Sequence, residues 1–498
     1  MKTWLGGLVA ALALAGAALA QEGPRARIDT GVLAGATADG VSVFKGVPFA
    51  APPVGALRWA APAPVAAWSG ARDATAFAPI CPQPARPDGV LAMGAQAPKS
   101  EDCLYLNVWA PPKAKTAPVM VWIHGGAFRF GSGVGPIYDG TRFAQDGVVL
   151  VTINYRLGAL GFFAHPALTK AAAPDAPLGN YGLMDQLAAL KWVQANIAAF
   201  GGDPKNVTVF GESAGGSAIL SLLSTPAAKG LFAKAIVESG GGWQARTDLA
   251  QAERAGVDLM TKAGLAPDAS LDAMRALPPE ALFDLPKGIG SVGPFQDGRL
   301  IKDTPAEAFT SGRAIDVPLL IGSNSYEASL LKAFPLPPAA VLARLTPAQK
   351  AAYANLPTDE DRVDAAYTDL VMGAPARWVA SQAAKGAPSW LYYFSYVPTA
   401  QRGRAKGAPH GAEIIYAFAT GTRLAGRFSS PQDQAMEALV HSCWVAFAKT
   451  GAPACKGQSA WPAYQPATDT LMEFGLESGL RSQFQKARRD AADQSVGR

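Results

Sequence analysis

Residues 207–216 read Val-Thr-Val-Phe-Gly-Glu-Ser-Ala-Gly-Gly, and this stretch decides how the rest of the chain is read. Its first four residues are β-branched or aromatic, as in a short buried strand. Gly211 follows, then Glu212, Ser213, Ala214 and Gly215, and then the Ala/Leu/Ser run 217–223, which reads as a helix. A strand, a G-x-S-x-G motif and a helix in immediate succession describe a sharp turn that lifts one serine hydroxyl clear of a sheet. Small neighbours let the backbone bend there, and the helix behind turns its positive end toward the serine. The plain alternative is an ordinary glycine-rich turn between a strand and a helix.

Working outward, the runs 119–123, 148–153, 235–238, 317–321 and 391–396 are short and apolar without clean alternation, the pattern of strands buried on both faces. Helical patterns separate several of them. The clearest carries Leu183, Leu187, Leu190, Val193 and Ile197 on one face and stops at Gly201-Gly202 and Asp203-Pro204. Strands alternating with helices predict an α/β protein, a large and mostly parallel central sheet with helices on both faces. Residues 27–34 and 41–49 read as a small antiparallel start, and 50–67 is Pro-rich and irregular. Segments 245–290 and 331–388 read as helical and loop insertions. Length alone suggests about three domains. Without a repeat or a disordered linker, one large domain over 21–498 is the expectation.

Residues 1–20 read as a signal peptide: Lys2, an apolar stretch over 5–18, and Ala18-Leu19-Ala20 as the cleavage site, so the mature chain begins at Gln21. Export to the periplasm or the medium follows, and no later stretch is apolar and long enough to span a bilayer. The formal charge of +5 falls to +4 without Lys2, and the scattered Lys and Arg point to no nucleic-acid partner. The tail 486–498 reads as a frayed end. Four cysteines in an exported chain favour disulfides over metal ligands. Three connectivities are possible, and proximity in sequence suggests Cys81 with Cys103 and Cys443 with Cys455.

A serine needs a base beside it to act as a nucleophile, usually histidine. The chain has four histidines. His124 lies in I-H-G-G-A-F, where the glycines matter more than the ring. His165 follows Gly161-Phe162-Phe163 in a loop and suits a solvated or structural role, and His441 falls in a helical pattern. His410, in the loop G-A-P-H-G-A-E after the late strand 391–396, is the base by elimination. The orienting acid is expected between nucleophile and base in chain order. Glu327, in G-S-N-S-Y-E-A beyond the strand 317–321, is best placed, with Asp297 and Asp303 as rivals. The tiny residues after strand 119–123 let backbone N–H groups of the run Gly125, Gly126, Ala127 approach a developing oxyanion, and the N–H of Ala214 adds another donor.

With these residues in hand, the sequence resembles the type-B carboxylesterase/lipase family, the cholinesterase-like branch of the α/β-hydrolases. The resemblance rests on P-V-G-A-L-R-W (53–59), S-E-D-C-L-Y-L-N-V (100–108), H-G-G-A-F (124–128) and N-Y-R-L-G-A-L-G-F (154–162). It continues through G-N-Y-G-L-M-D-Q (179–186), F-G-G-D-P (200–204), G-E-S-A-G-G and W-V-A-F-A-K-T-G-A-P (444–453). It implies an α/β-hydrolase fold with insertions around the active-site mouth and an esterase with Ser213 as nucleophile, Glu327 as acid and His410 as base. It implies Gly126, Ala127 and Ala214 as oxyanion donors, with Gly125 just before them. It also implies a Cys81–Cys103 disulfide and two buried ion pairs, Arg58 with Glu101 and Arg156 with Asp185. Two departures stand out. Ala127 occupies a position where glycine is usual. The Cys81–Cys103 loop has no tryptophan to hold a quaternary ammonium, which argues against choline esters.

The expected reaction is acyl transfer from an ester to water through an acyl-enzyme, with no cofactor and no metal. Phe128, Phe130 and Trp243 are candidate pocket walls, and core packing explains each equally well. An amide, carbamate or thioester hydrolase with the same machinery is the alternative, and a non-catalytic binding module is a more distant one. The small-molecule ester and water are the only expected partners, and a monomer is the default expectation.

Overall fold

A computed structural model describes residues 23–85, 97–243, 247–283, 292–426 and 429–494. The expected signal peptide lies outside these residues. Fourteen strands occur among them. In chain order they are β1 (Arg25–Ile28), β2 (Gly31–Ala34), β3 (Ala36–Ala38), β4 (Val41–Pro48), β5 (Ala71–Asp73), β6 (Tyr105–Ala110) and β7 (Ala117–Ile123). They continue with β8 (Val149–Ile153), β9 (Gly202–Glu212), β10 (Lys234–Glu238), β11 (Leu319–Asn324), β12 (Ser389–Phe394), β13 (Thr470–Phe474) and β14 (Gly479–Ser482).

Eleven strands form one sheet in the spatial order β3-β4-β6-β8-β7-β9-β10-β11-β12-β13-β14, and β1, β2 and β5 form a small separate sheet. Every pairing from β8 to β13 is parallel, and the antiparallel pairs lie toward the two edges. The protein is thus an α/β structure, a large mixed sheet with helices around it, as an α/β-hydrolase fold requires. The central strands are buried on both faces. Val121, Val151, Val209, Val237 and Ile321 pack into one hydrophobic layer, and Met120, Leu150, Phe210, Ile236 and Leu320 into the other. That period of two explains why these runs show no polar alternation in the sequence.

The fold matters to function because of where the strand order reverses. β8 follows β7 in the chain but lies on its far side, and β9 lies on the near side, so the strand order reverses between β7 and β9, the place where open α/β sheets carry their sites at the strands' carboxyl ends. Ile123 pairs with Gly211 there, which sets the H-G-G-A-F loop directly beside the serine turn.

Several local expectations need adjustment. Residues 27–34 form a hairpin, β1 and β2 joined through Asp29 and Thr30, instead of one strand. The strand expected at 317–321 runs Leu319–Asn324, because pairing with β12 begins at Leu319 opposite Ser389. The tail is not frayed through Asp493. Lys486–Asp493 is a helix on which Arg489 is buried over the rings of Tyr393 and Phe484, while Asp490 and Asp493 pair with Arg377. The insertion 331–388 is mostly helical and includes a π-helical turn, Asp369–Gly373, between Asp359–Thr368 and Ala374–Ala383.

Candidate active site

Ser213 sits between β9 and the helix Ala214–Leu223 with φ 57° and ψ −122°, a region that costs a non-glycine residue strain. The glycines on either side make the turn possible by close approach. A Cβ on Gly215 would lie 1.9 Å from the Ile123 carbonyl oxygen, and one on Gly211 would lie 2.5 Å from the same atom. The Ser213 N–H donates to the Glu238 carbonyl at 2.8 Å, which pins the turn to β10. The side chain is half-buried at the positive end of the following helix.

The loop after β7 is laid over this turn. A Cβ on Gly125 would meet the Glu212 carbonyl oxygen at 2.7 Å and the Ser213 Cβ at 3.1 Å. Gly126 has φ 115°, and Ala127 and Phe128 follow at φ 54° and 56°, two consecutive non-glycine residues in the left-handed region. The loop is tied by the N–H groups of Arg129 and Phe130, which donate to the Gly126 carbonyl, and by Gly158 N–H, which donates to Phe128 O at 2.7 Å.

Glu327 and His410 come together at the carboxyl ends of the neighbouring strands β11 and β12. His410 Nδ1 donates to Glu327 Oε2 at 2.5 Å, and neither side chain exposes more than 1% of its surface. Glu327 Oε1 accepts from the Asn324 N–H at 2.7 Å and from the Ser239 hydroxyl at 2.6 Å. The His410 N–H donates to Ser329 Oγ at 2.9 Å, and a bridge between Tyr326 and Pro409 holds the two loops together. On its other side, His410 Nε2 lies 3.0 Å from Glu212 Oε1, out of line for a hydrogen bond. Burial works against a charged ring, but Glu212 and Glu327 outweigh it and hold the His410 pKa well above the ordinary histidine value.

Glu212, Ser239, Asn324 and Glu413 are the residues that sequence reading passed over. Glu212 stands inside the motif that opened the reading and Glu413 three residues past His410, so position was the available signal. The rival acids are accounted for elsewhere. Asp297 accepts from the N–H groups of Leu178, Leu300 and Ile301, and Asp303 forms a surface pair with Arg313 at 2.8 Å. The other histidines have local roles as well. His165 is buried and accepts from Ala167 N–H to cap a short helix, which settles it as structural. His441 is buried on the helix Pro431–Thr450 between the Ala417 carbonyl and Asp146, and His124 stacks on Tyr155.

Cys81 is bonded to Cys103 and Cys443 to Cys455. Arg58 lies against Glu101 with Nε 2.7 Å from Oε2, and Arg156 is held by Asp185 through Nε at 2.8 Å, Nη2 at 2.7 Å and its backbone N–H at 3.0 Å. Of the three aromatic candidates, Phe128 packs edge-on against Phe162, and Phe130 is buried beneath the Gly126 turn. Trp243 is half-buried against Trp378 on the insertion.

The carboxylesterase family model matches residues 22–350 and 339–492, essentially the whole chain after the first 21 residues. A fumonisin B1 esterase of Sphingopyxis macrogoltabida is 39% identical over 90% of this chain and 86% of its own length. A para-nitrobenzyl esterase of Bacillus subtilis is 37% identical over 94% and 98%. Among solved structures, a PNB esterase superposes with a TM-score of 0.83 at 35% identity, covering 94% of this chain and 99% of the other. A carboxylesterase of Geobacillus stearothermophilus superposes with a TM-score of 0.81 at 34% identity and the same coverage.

Proposed function

Since this chain belongs to the carboxylesterase family and is a carboxylic ester hydrolase, we propose that it works through a Ser213–His410–Glu327 triad and an acyl-enzyme. The observation that carries the reading is the 2.5 Å contact between His410 Nδ1 and Glu327, wholly buried beside the strained Ser213 turn. Ser213 Oγ attacks the ester carbonyl as His410 Nε2 takes its proton. For this the ring has to present Nε2 to the Ser213 hydroxyl instead of Glu212 while Nδ1 stays on Glu327. The backbone N–H groups of Gly126, Ala127 and Ala214 hold the tetrahedral oxyanion, with Gly125 letting their loop lie close. His410 then protonates the departing alcohol and afterwards activates water against the acyl-enzyme. Glu327 keeps the ring in one tautomer and balances the imidazolium.

In this reading the protein is one domain exported from the cytoplasm, and its two disulfides fit an oxidising compartment. No helix among the described residues is long and apolar enough to cross a membrane. The test is hydrolysis of p-nitrophenyl acetate. Ser213→Ala abolishes turnover with an unchanged circular dichroism spectrum, Glu327→Gln lowers kcat by about 10²–10⁴-fold, and Asp303→Asn leaves it unaltered. Near-native turnover by Ser213→Ala overturns the nucleophile, and a collapse in Asp303→Asn alone overturns the acid.

A further inference from the structure

Four glutamates come together around the triad: Glu212 at the end of β9, Glu238 at the end of β10, the triad's own Glu327 after β11, and Glu413 three residues past His410. All are at most 3% exposed. Glu238 accepts from the indole N–H of Trp444 at 2.8 Å, and Glu212 and Glu327 flank the imidazole. Among the described residues Glu413 forms no ion pair. Its Oε2 accepts from the side-chain amide of Asn324, and its Oε1 lies 3.5 Å from the Ser239 hydroxyl.

Both of these partners are also the partners of Glu327. The Ser239 hydroxyl gives its one proton to Glu327 Oε1, and the Asn324 backbone N–H donates to the same oxygen. Asn324 also donates to the Pro409 carbonyl at 2.9 Å, next to His410. We propose that Glu413 is a positioning residue for ester hydrolysis, fixing the Ser239 hydroxyl and the Asn324 amide so that Glu327 presents its other oxygen to His410 Nδ1. The proposal rests on the triad reading and adds a layer behind it.

Glu413 performs this role as an un-ionised acid. The Ser239 proton is committed to Glu327, so the 3.5 Å between the Ser239 oxygen and Glu413 Oε1 is a packing contact and not a short hydrogen bond. The groups facing it are Glu212, Glu238, Glu327 and the Tyr392 phenol. Burial comes first, then the charges of these carboxylates, and together they raise the Glu413 pKa well above the carboxylate range. Burial likewise moves the Glu238 carboxyl up to about 8. Like charges packed so closely cannot all ionise, and Glu413 keeps its proton.

The test compares kcat, KM and the pH profile of kcat/KM for p-nitrophenyl acetate in the full-length protein. Glu413→Ala lowers kcat by about 10- to 100-fold with little change in KM, the scale of one hydrogen bond to a charged group felt in the transition state. Glu413→Gln offers the donor and acceptor of a neutral acid, so it restores most of the lost kcat and leaves the acidic limb in place. Glu212→Gln, the control, removes a charge from beside His410 and moves that limb to lower pH. Ser239→Ala reproduces the Glu413→Ala loss and serves if Glu413→Ala fails to fold. Wild-type kcat in both Glu413→Ala and Ser239→Ala overturns the proposal. So does an acidic limb displaced by Glu413→Gln as far as by Glu212→Gln. Either result, with Glu327→Gln still inactive, leaves the triad standing; an active Glu327→Gln removes the triad reading itself.

Discussion

Adding one carbon to Gly125 tests whether the loop after β7 and the serine turn form a single rigid unit. Gly125 is outside the left-handed region, so alanine meets no backbone objection there, and the cost is steric. The new Cβ would lie 2.6 Å from Glu212 Oε2, 2.7 Å from the Glu212 carbonyl oxygen and 3.1 Å from the Ser213 Cβ. The carboxylate can swing away, but the carbonyl belongs to the end of a central strand and cannot. It falls about 0.7 Å short of ordinary contact, judged against a 3.4 Å limit, so the loop has to lift by nearly that distance. A displacement approaching 1 Å at reacting groups costs about 10²-fold in rate, and loss of one oxyanion donor about 10²–10³-fold. Overpacking of one methyl costs about 1–3 kcal/mol of stability. Unfolding entropy of about 2.1 cal/mol/K per residue sums to about 1 kcal/mol/K over 498 residues, so the thermal midpoint falls by only about 1–3 °C. Steady-state hydrolysis of p-nitrophenyl acetate beside a thermal melt at fixed scan rate reads both effects. The expected outcome is a kcat near one hundredth of wild type in a protein that melts almost normally. A variant keeping more than half of the wild-type kcat would refute the idea that this loop rests on the Ser213 turn.

The Arg156–Asp185 pair makes a second prediction, on stability. Asp185→Asn strands a buried guanidinium, worth about 3–5 kcal/mol. At about 1 kcal/mol/K that lowers the midpoint by about 3–5 °C, whereas the double variant Arg156→Met/Asp185→Leu recovers most of it. No recovery in the double variant contradicts the ion-pair account. A third prediction concerns acid. Burial pushes the Asp433 carboxyl up, but hydrogen bonds from Tyr396, Ser430 and Thr399 outweigh it and hold the pKa at about 2. A depressed carboxylate contributes stability above its unfolded pKa of about 3.9 and loses it as pH falls through the folded value. Wild type and Asp433→Ala therefore differ at neutral pH and converge between about pH 4 and pH 2. A constant gap across that window contradicts the assignment.

How much of this was legible in the sequence depended on whether a residue's neighbours are near in the chain. The serine turn was legible because strand, glycines and helix are contiguous, and the close approaches at Gly211 and Gly215 explain why no larger residue stands there. His410 was singled out because only four histidines compete. The strand β6 was hidden: five of its six residues are buried, so it shows no alternation, and its Leu-Asn-Val segment reads only as part of a motif. The helix Lys486–Asp493 was misread because Lys-Ala-Arg-Arg-Asp-Ala-Ala-Asp looks solvated. Arg489 is nonetheless buried over Tyr393, and the acids meet Arg377 from more than a hundred residues away. The carboxylates packed around Glu327 and His410 were invisible for the same reason. A buried Glu413 makes sense only beside Ser239 and Asn324, which arrive from β10 and β11.

The most direct measurement is covalent labelling of the intact enzyme with a fluorophosphonate, followed by peptide mass spectrometry. The account predicts one adduct, on the peptide carrying Ser213, formed at a rate that drops by about 10²-fold or more when His410 is replaced by alanine. An adduct on a different serine, or undiminished labelling of Ser213 without His410, contradicts it.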